Sequence, residues 1–186
     1  RVWPGGAEAG AGDEIGAMGE AGVRTVRARD EYARGCRDPG RTGARVGERR
    51  GKARAAGVMT PHILGDGSHL TQLETALVLR MTGLSPLGPV ACNTGAPDEG
   101  NMYLLGKIGS SEIRERFLKQ LVSGDARSAF FMTEPASEGG AGSDPSMMKT
   151  TCRKDGNHWA LSWRKTFITR ADGATVGIVQ AMIHDL

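Results

Sequence analysis

Leu70, Leu73, Leu77 and Met81 recur at helical spacing, with Thr71 and Glu74 placed as a capping box ahead of them and Gly83 behind. The pattern predicts a helix from about Leu70 to Thr82. The stretch Leu84 to Pro89 cannot continue it, because Pro86 and Pro89 each lack a backbone donor. Pro97 at a first helical position, followed by Asp98 and Glu99, opens a second helix with Met102, Leu105 and Ile108 on one face. A third begins at Ser110 or Ser111 and runs from Glu112 to Val122. It turns Ile113, Phe117 and Leu121 inward and ends at Gly124, while Arg114, Glu115, Arg116 and Lys119 form a solvated face.

From Ser128 the period changes to two. Ser128 to Met132 is an apolar run of strand length, and Met148, Thr150 and Cys152 alternate with Lys149, Thr151 and Arg153. Asp155, Gly156 and Asn157 form a hairpin turn, His158 to Ser162 returns, and strands Arg164 to Thr169 and Val176 to Ile183 follow. Helices first and strands after read as α+β, a helical segment followed by a small β-barrel-like domain or curled sheet.

The front of the chain shows neither period. From Arg1 to Ala56 there is no Leu and no Phe, so too little apolar area is available to offset the entropy of ordering. The expected organisation is therefore a poorly ordered Gly/Ala/Arg-rich segment over residues 1–51, a partial helical domain over 52–124 and a β-domain over 125–186. The net charge of +3 is concentrated at the front, where residues 1–56 hold 12 Lys and Arg against 8 Asp and Glu. Acidic residues interrupt that positive charge, which argues against nucleic acid as a partner.

Cys36, Cys92 and Cys152 have no paired spacing and read as free thiols, and His62, His69, His158 and His184 show no metal-ligand spacing. No apolar run approaches the length of a membrane span, so a soluble, intracellular protein is expected.

The candidate chemistry lies between Phe130 and Ser143, where a strand ends at Thr133 and a Gly-rich loop follows. Gly139, Gly140 and Gly142 permit positive φ and close backbone approach, and Ser143 adds a donor, which together predict a cradle for a pyrophosphate. The sequence Met132-Thr133-Glu134-Pro135, then Gly142-Ser143-Asp144, then Arg164 to Thr169, resembles the flavin-binding middle domain of the acyl-CoA dehydrogenase family. The resemblance extends upstream through Pro86 to Pro89 and Ala96 to Met102 and covers roughly Gly57 to Leu186.

That resemblance implies an FAD-dependent oxidoreductase of fatty acid β-oxidation, which removes an α-proton from an acyl-CoA thioester while a β-hydride passes to flavin N5. It implies that Phe130, Met132 and Thr133 lie along the flavin, with the Thr133 hydroxyl at its pyrimidine edge. Phe167, Ile168 and Thr169 would cover the other side, and Gly142 and Ser143 would reach the cofactor phosphate or the acyl-CoA. It further implies an electron-transfer flavoprotein or similar acceptor and a homo-oligomer. In the family a C-terminal helical domain carries the catalytic glutamate and much of the subunit interface; this chain is expected to lack it, so no residue here is nominated as catalytic. Ser162-Trp163 stands where the family writes Asn-Gly in a tight turn, and Arg170 where it has a small residue. A non-catalytic relic or interaction module that keeps the β-domain is the alternative.

Overall fold

The computed structural model describes residues 39–162 and 164–183. They fall into two compact units that divide between Asp125 and Ala126.

The first unit is helical. Helix α1 (Pro39–Ala55) begins inside the stretch 1–51 expected to be poorly ordered, and the rest of that stretch lies outside the described residues. Lys52 and Glu48 pair at i,i+4, 2.8 Å apart, which supports the helix. Gly57, at φ +73°, ends it by letting Val58 N–H donate back to Ala53 O. Val58, Ala53, Val78 and Cys92 then form a small core, flanked by Leu70 and Met81.

Helix α2 (Gln72–Thr82) starts as the sequence predicts, with both bonds of the capping box between Thr71 and Glu74 present and Gly83 at its end. Its inward face differs from the expected stripe. Val78 and Thr82 are buried, whereas Leu73 is 73% exposed and Leu77 also faces outward. Close backbone contact explains the rotation: a Cβ on Gly88 would lie 1.9 Å from the Thr82 carbonyl oxygen, so helix α3 (Gly88–Ala91) presses directly on the end of α2.

Helix α4 (Asp98–Ile108) buries Asp98, Asn101, Met102 and Gly106 and leaves Ile108 exposed, contrary to the expected face. The third predicted helix is built of α5 (Ser111–Ile113), a π-helical turn (Arg114–Leu118) and α6 (Lys119–Ser123), capped by Ser110 and closed by Gly124 at φ +76°. The wider turn buries Leu118 in place of Ile113 and Phe117, while Leu121 faces inward as expected.

A polar pin holds these helices together. Asn93, at φ +58°, donates from Nδ2 to Thr60 Oγ1 at 2.9 Å and to Leu121 O at 2.8 Å, and Thr60 Oγ1 donates to Val122 O at 2.7 Å. Arg50 reaches Asn93 Oδ1 and Gly124 O from α1.

The second unit contains two small sheets, neither closed into a barrel. Strand β1 (Ser128–Phe131) pairs in parallel with β4 (Val176–Val179), Phe130 opposite Ile178. Strands β2 (Thr151–Asp155) and β3 (His158–Ser162) form the predicted hairpin, and β2 pairs on its other side, in parallel, with β5 (Met182–Ile183). The barrel expected from the spacing of strands is absent because two of its staves are missing or broken. Residues 164–169 form no strand, with Phe167 bent to φ +55°, and Gln180-Ala181 divides Val176 to Ile183 into two short strands on different sheets. Of the turn expected at Ser162-Trp163, Ser162 pairs with Thr151 as the last residue of β3, and Trp163 lies outside the described residues.

Candidate functional site

At the end of β1 the chain passes through Met132 and Thr133 to Glu134, which is 3% exposed. Burying a lone carboxylate is costly, so every acceptor direction must be met. Glu134 Oε2 accepts from the N–H groups of Ala141, at 3.0 Å, and Lys149, at 2.8 Å. Oε1 accepts from Thr150 N–H at 2.7 Å, Thr150 Oγ1 at 2.6 Å and Lys165 Nζ at 3.2 Å. Burial pushes this carboxyl up, but the Thr150 hydroxyl and the three backbone donors outweigh it and hold the group well below the usual carboxylate range.

Lys165 is fully buried and also donates to Met132 O at 2.9 Å. Next to it, Thr166 N–H donates to Thr133 O at 2.9 Å. These bonds fix residues 165–169 against the end of β1, which brings Met132 and Thr133 beside the segment that carries Phe167, Ile168 and Thr169. Sequence reasoning passed over Glu134 and Lys165. The signal was available in the pairing of two charged residues inside two otherwise matching family motifs, since a charge placed among strand-end apolar residues needs an opposite charge nearby.

The predicted residues are placed as follows. Phe130 is half-buried in β1, and Met132 and Thr133 are half-buried just past its end. No described residue hydrogen-bonds to the Thr133 hydroxyl. Phe167 is 91% exposed, at a left-handed φ that costs a bulky residue about 1–2 kcal/mol. Ile168 is half-buried, Thr169 is exposed in a turn, and Arg170 follows at φ +62°. Gly142, at φ +64°, accepts from Glu134 N–H through its carbonyl, and Ser143 is exposed one residue further on.

The glycine loop does not form the predicted cradle over residues 138–141. The N–H groups of Glu138 and Gly140 donate to Pro135 O, that of Gly139 to Ala136 O, and that of Ala141 to Glu134, so all four point inward. The glycines serve close packing instead: a Cβ on Gly140 would sit 2.7 Å from the Glu134 Cβ. A depression of ≈ 310 Å³ beside this loop is walled by Glu138, Gly139, Gly140, Lys149 and Arg164 among others, and by none of the residues expected to lie along the flavin. Arg164 and Glu138 are ion-paired across it.

Residues 129–185 match the acyl-CoA dehydrogenase middle domain, which covers all of these positions except Ser128 and its neighbours upstream. This stretch carries the middle domain of the acyl-CoA dehydrogenase family. FadE2 of Mycobacterium tuberculosis, assigned as an acyl-CoA dehydrogenase, is 42% identical over 105 residues, which is 56% of this chain and 25% of that protein. The chain thus spans about a quarter of that relative's length. A protein of Mycobacterium abscessus assigned to the acyl-CoA dehydrogenases superposes with a TM-score of 0.73 at 31% identity over 94% of this chain and 46% of its own. A glutaryl-CoA dehydrogenase from Mycobacterium smegmatis, solved in complex with FADH2, has a TM-score of 0.62 at 24% identity, over 94% of this chain and 43% of its own, and shares the fold. No helix among the described residues is long and apolar enough to cross a membrane.

Proposed function

We propose that this chain supplies the middle-domain face of an FAD site in a dehydrogenase of acyl-CoA thioesters. The observation that carries the reading is Phe167. Its ring is exposed at a strained φ, and the hydrogen bond from Thr166 to Thr133 sets it beside the end of β1. A protein that spends strain to present an aromatic face to solvent has a use for that face. Bound FAD would supply a hydride acceptor that no side chain offers. Phe130 and Met132 would lie along the ring system, and Phe167 and Ile168 would cover its other side. The Thr133 and Thr169 hydroxyls donate to its polar edge, and Gly142 and Ser143 lie toward the cofactor phosphate or the acyl-CoA. An electron-transfer flavoprotein or similar acceptor would take the electrons, in a homo-oligomer of the family type.

Glu134 does not act as the base here. Its five donors leave no lone pair for a substrate proton, and Glu138 is held by Arg164. This unit therefore supplies cofactor contacts and no proton acceptor. Titrating FAD into the chain and following quenching of flavin fluorescence tests the reading. Weak saturable binding that Phe167→Ala abolishes is expected, together with no turnover of short, medium or long acyl-CoA. A chain that shows no binding at all fits a non-catalytic module, and steady turnover lost in Glu134→Gln would overturn the assignment of roles.

A further inference from the structure

His62 is buried in the helical unit at 3% exposure, and neither of its ring nitrogens has a hydrogen-bond partner among the described residues. Its backbone is fixed, since its carbonyl accepts from Leu70 N–H at 3.0 Å and the neighbouring Ile63 bridges to His69. An unmet buried donor and acceptor is expensive to keep.

Two cavities share His62 and His69 as walls. One, of ≈ 260 Å³, is lined by the polar residues Gln72, Thr75, Glu99 and Tyr103 besides the two histidines. The other, of ≈ 280 Å³, is chiefly apolar, with Met59, Pro61, Ile63, Leu64 and Leu70. Glu99 Oε1 stands 3.9 Å from His62 Nε2, too far for a direct hydrogen bond, yet a single donor atom about 2.9 Å from each would bridge them. Tyr103 and Gln72 are already bonded to each other, Gln72 Nε2 donating to the Tyr103 hydroxyl at 3.1 Å. The unmet group is thus His62, with the partly exposed Glu99 carboxylate facing it.

The sign of the ligand follows from the walls. Burial lowers the His62 imidazole to a pKa of about 4, so it is neutral near pH 7 and offers a lone pair. Glu99 is the one acidic wall of the first cavity and no Lys or Arg lines it; Lys107 lies over the Tyr103 ring, 5.7 Å from its centroid, but is not a wall. Two acceptors without a cation favour a group that only donates and carries positive charge. We propose that the paired cavities bind a primary alkylammonium ion, its nitrogen donating to Glu99 Oε1 and His62 Nε2 and its alkyl chain lying against Ile63, Leu64 and Leu70. The site is in the helical unit and needs no flavin, so it stands or falls independently of the cofactor reading.

The probe is n-butylammonium chloride, titrated into the full chain while the His62 ring nitrogens are followed by NMR. A saturable shift at His62 is expected, and Glu99→Gln should weaken binding about tenfold or more, as loss of a charge-assisted hydrogen bond does. Glu99 is partly exposed, so this substitution leaves the fold in place, which unchanged shifts at Asn93 will verify. No saturable shift overturns the site. Equal or stronger binding of n-butyrate or n-butanol, or full affinity in Glu99→Gln, overturns the ligand class.

Discussion

Glu134 and His62 are each 3% exposed, one in each unit, and their surroundings differ completely. Glu134 accepts from five donors drawn from three separate segments, while His62 has a partner at neither nitrogen. Burial alone therefore says little about what a polar side chain does. A saturated group is spent on joining segments, and only an unsaturated one keeps binding capacity for something else.

The strongest way to break this contrast is to unmake the saturated side. Glu134→Ala leaves the Lys165 ammonium buried with no counter-charge, and a loss of about 3–5 kcal/mol in the stability of the second unit is expected. Denaturant unfolding measures it, and the double change with Lys165→Met should cost less than the sum of the singles.

Acid should separate the two groups by sign and window. The folded His62 has its pKa below its ordinary 6.5, at about 4, so the unfolded chain binds the proton first. Stability contributed by neutral His62 is thus full above about pH 6.5 and falls toward pH 4. Glu99, whose carboxyl burial pushes up, opposes this trend, because its folded form takes up a proton more readily. His69 also lines the cavity. Glu134 lies below its ordinary value, so its contribution is intact above about pH 4.3 and is lost only as acid increases beyond that. Hydrogen exchange measured from pH 7 to 3 should show the amides around residues 58–70 loosening before those of 141–150, and Glu99→Gln should steepen the earlier loss.

Backbone approach offers a third test within the helical unit. Gly88→Ala places a methyl against the Thr82 carbonyl, and a destabilisation of about 1–3 kcal/mol is expected in a melting experiment. The smallest effect has the opposite sign. Phe167→Gly relieves positive φ at an exposed position and should stabilise the second unit by about 1 kcal/mol, while weakening FAD binding if the ring serves the cofactor. Stability and binding moving in opposite directions at one residue would mark the strain as functional.

Local signals were legible in the sequence. Thr71 and Glu74 start α2, Gly124 ends α6, and Gly156 with Asn157 turns the β2–β3 hairpin, because each feature is decided by a few adjacent residues. Which faces turn inward was not legible. Leu73 and Leu77 lost to Val78 and Thr82 through the contact of Gly88 with Thr82, and a π-helical turn moved the core positions of the next helix. In the second unit the motif residues were evident, but the inward course of the glycine-loop amides depends on Glu134, whose partners are separated from it by up to 31 residues. His62 carried no sequence signal, since a lone histidine reads the same whether its nitrogens are met or not.

The parallel pairing of β1 with β4 bears on how the chain comes off the ribosome. Ser128 lies opposite Val176, and Thr175 N–H already bonds Arg127 O across 48 residues of sequence. The helical unit closes through contacts available once Asp125 is made, whereas β1 has no strand partner until the 48 residues that separate each of its positions from its partner in β4 have emerged. Phe130 and Phe131 must wait exposed over that interval, at a translation rate of about 5–20 residues per second, for several seconds. A chaperone that binds short apolar segments would meet its opportunity there.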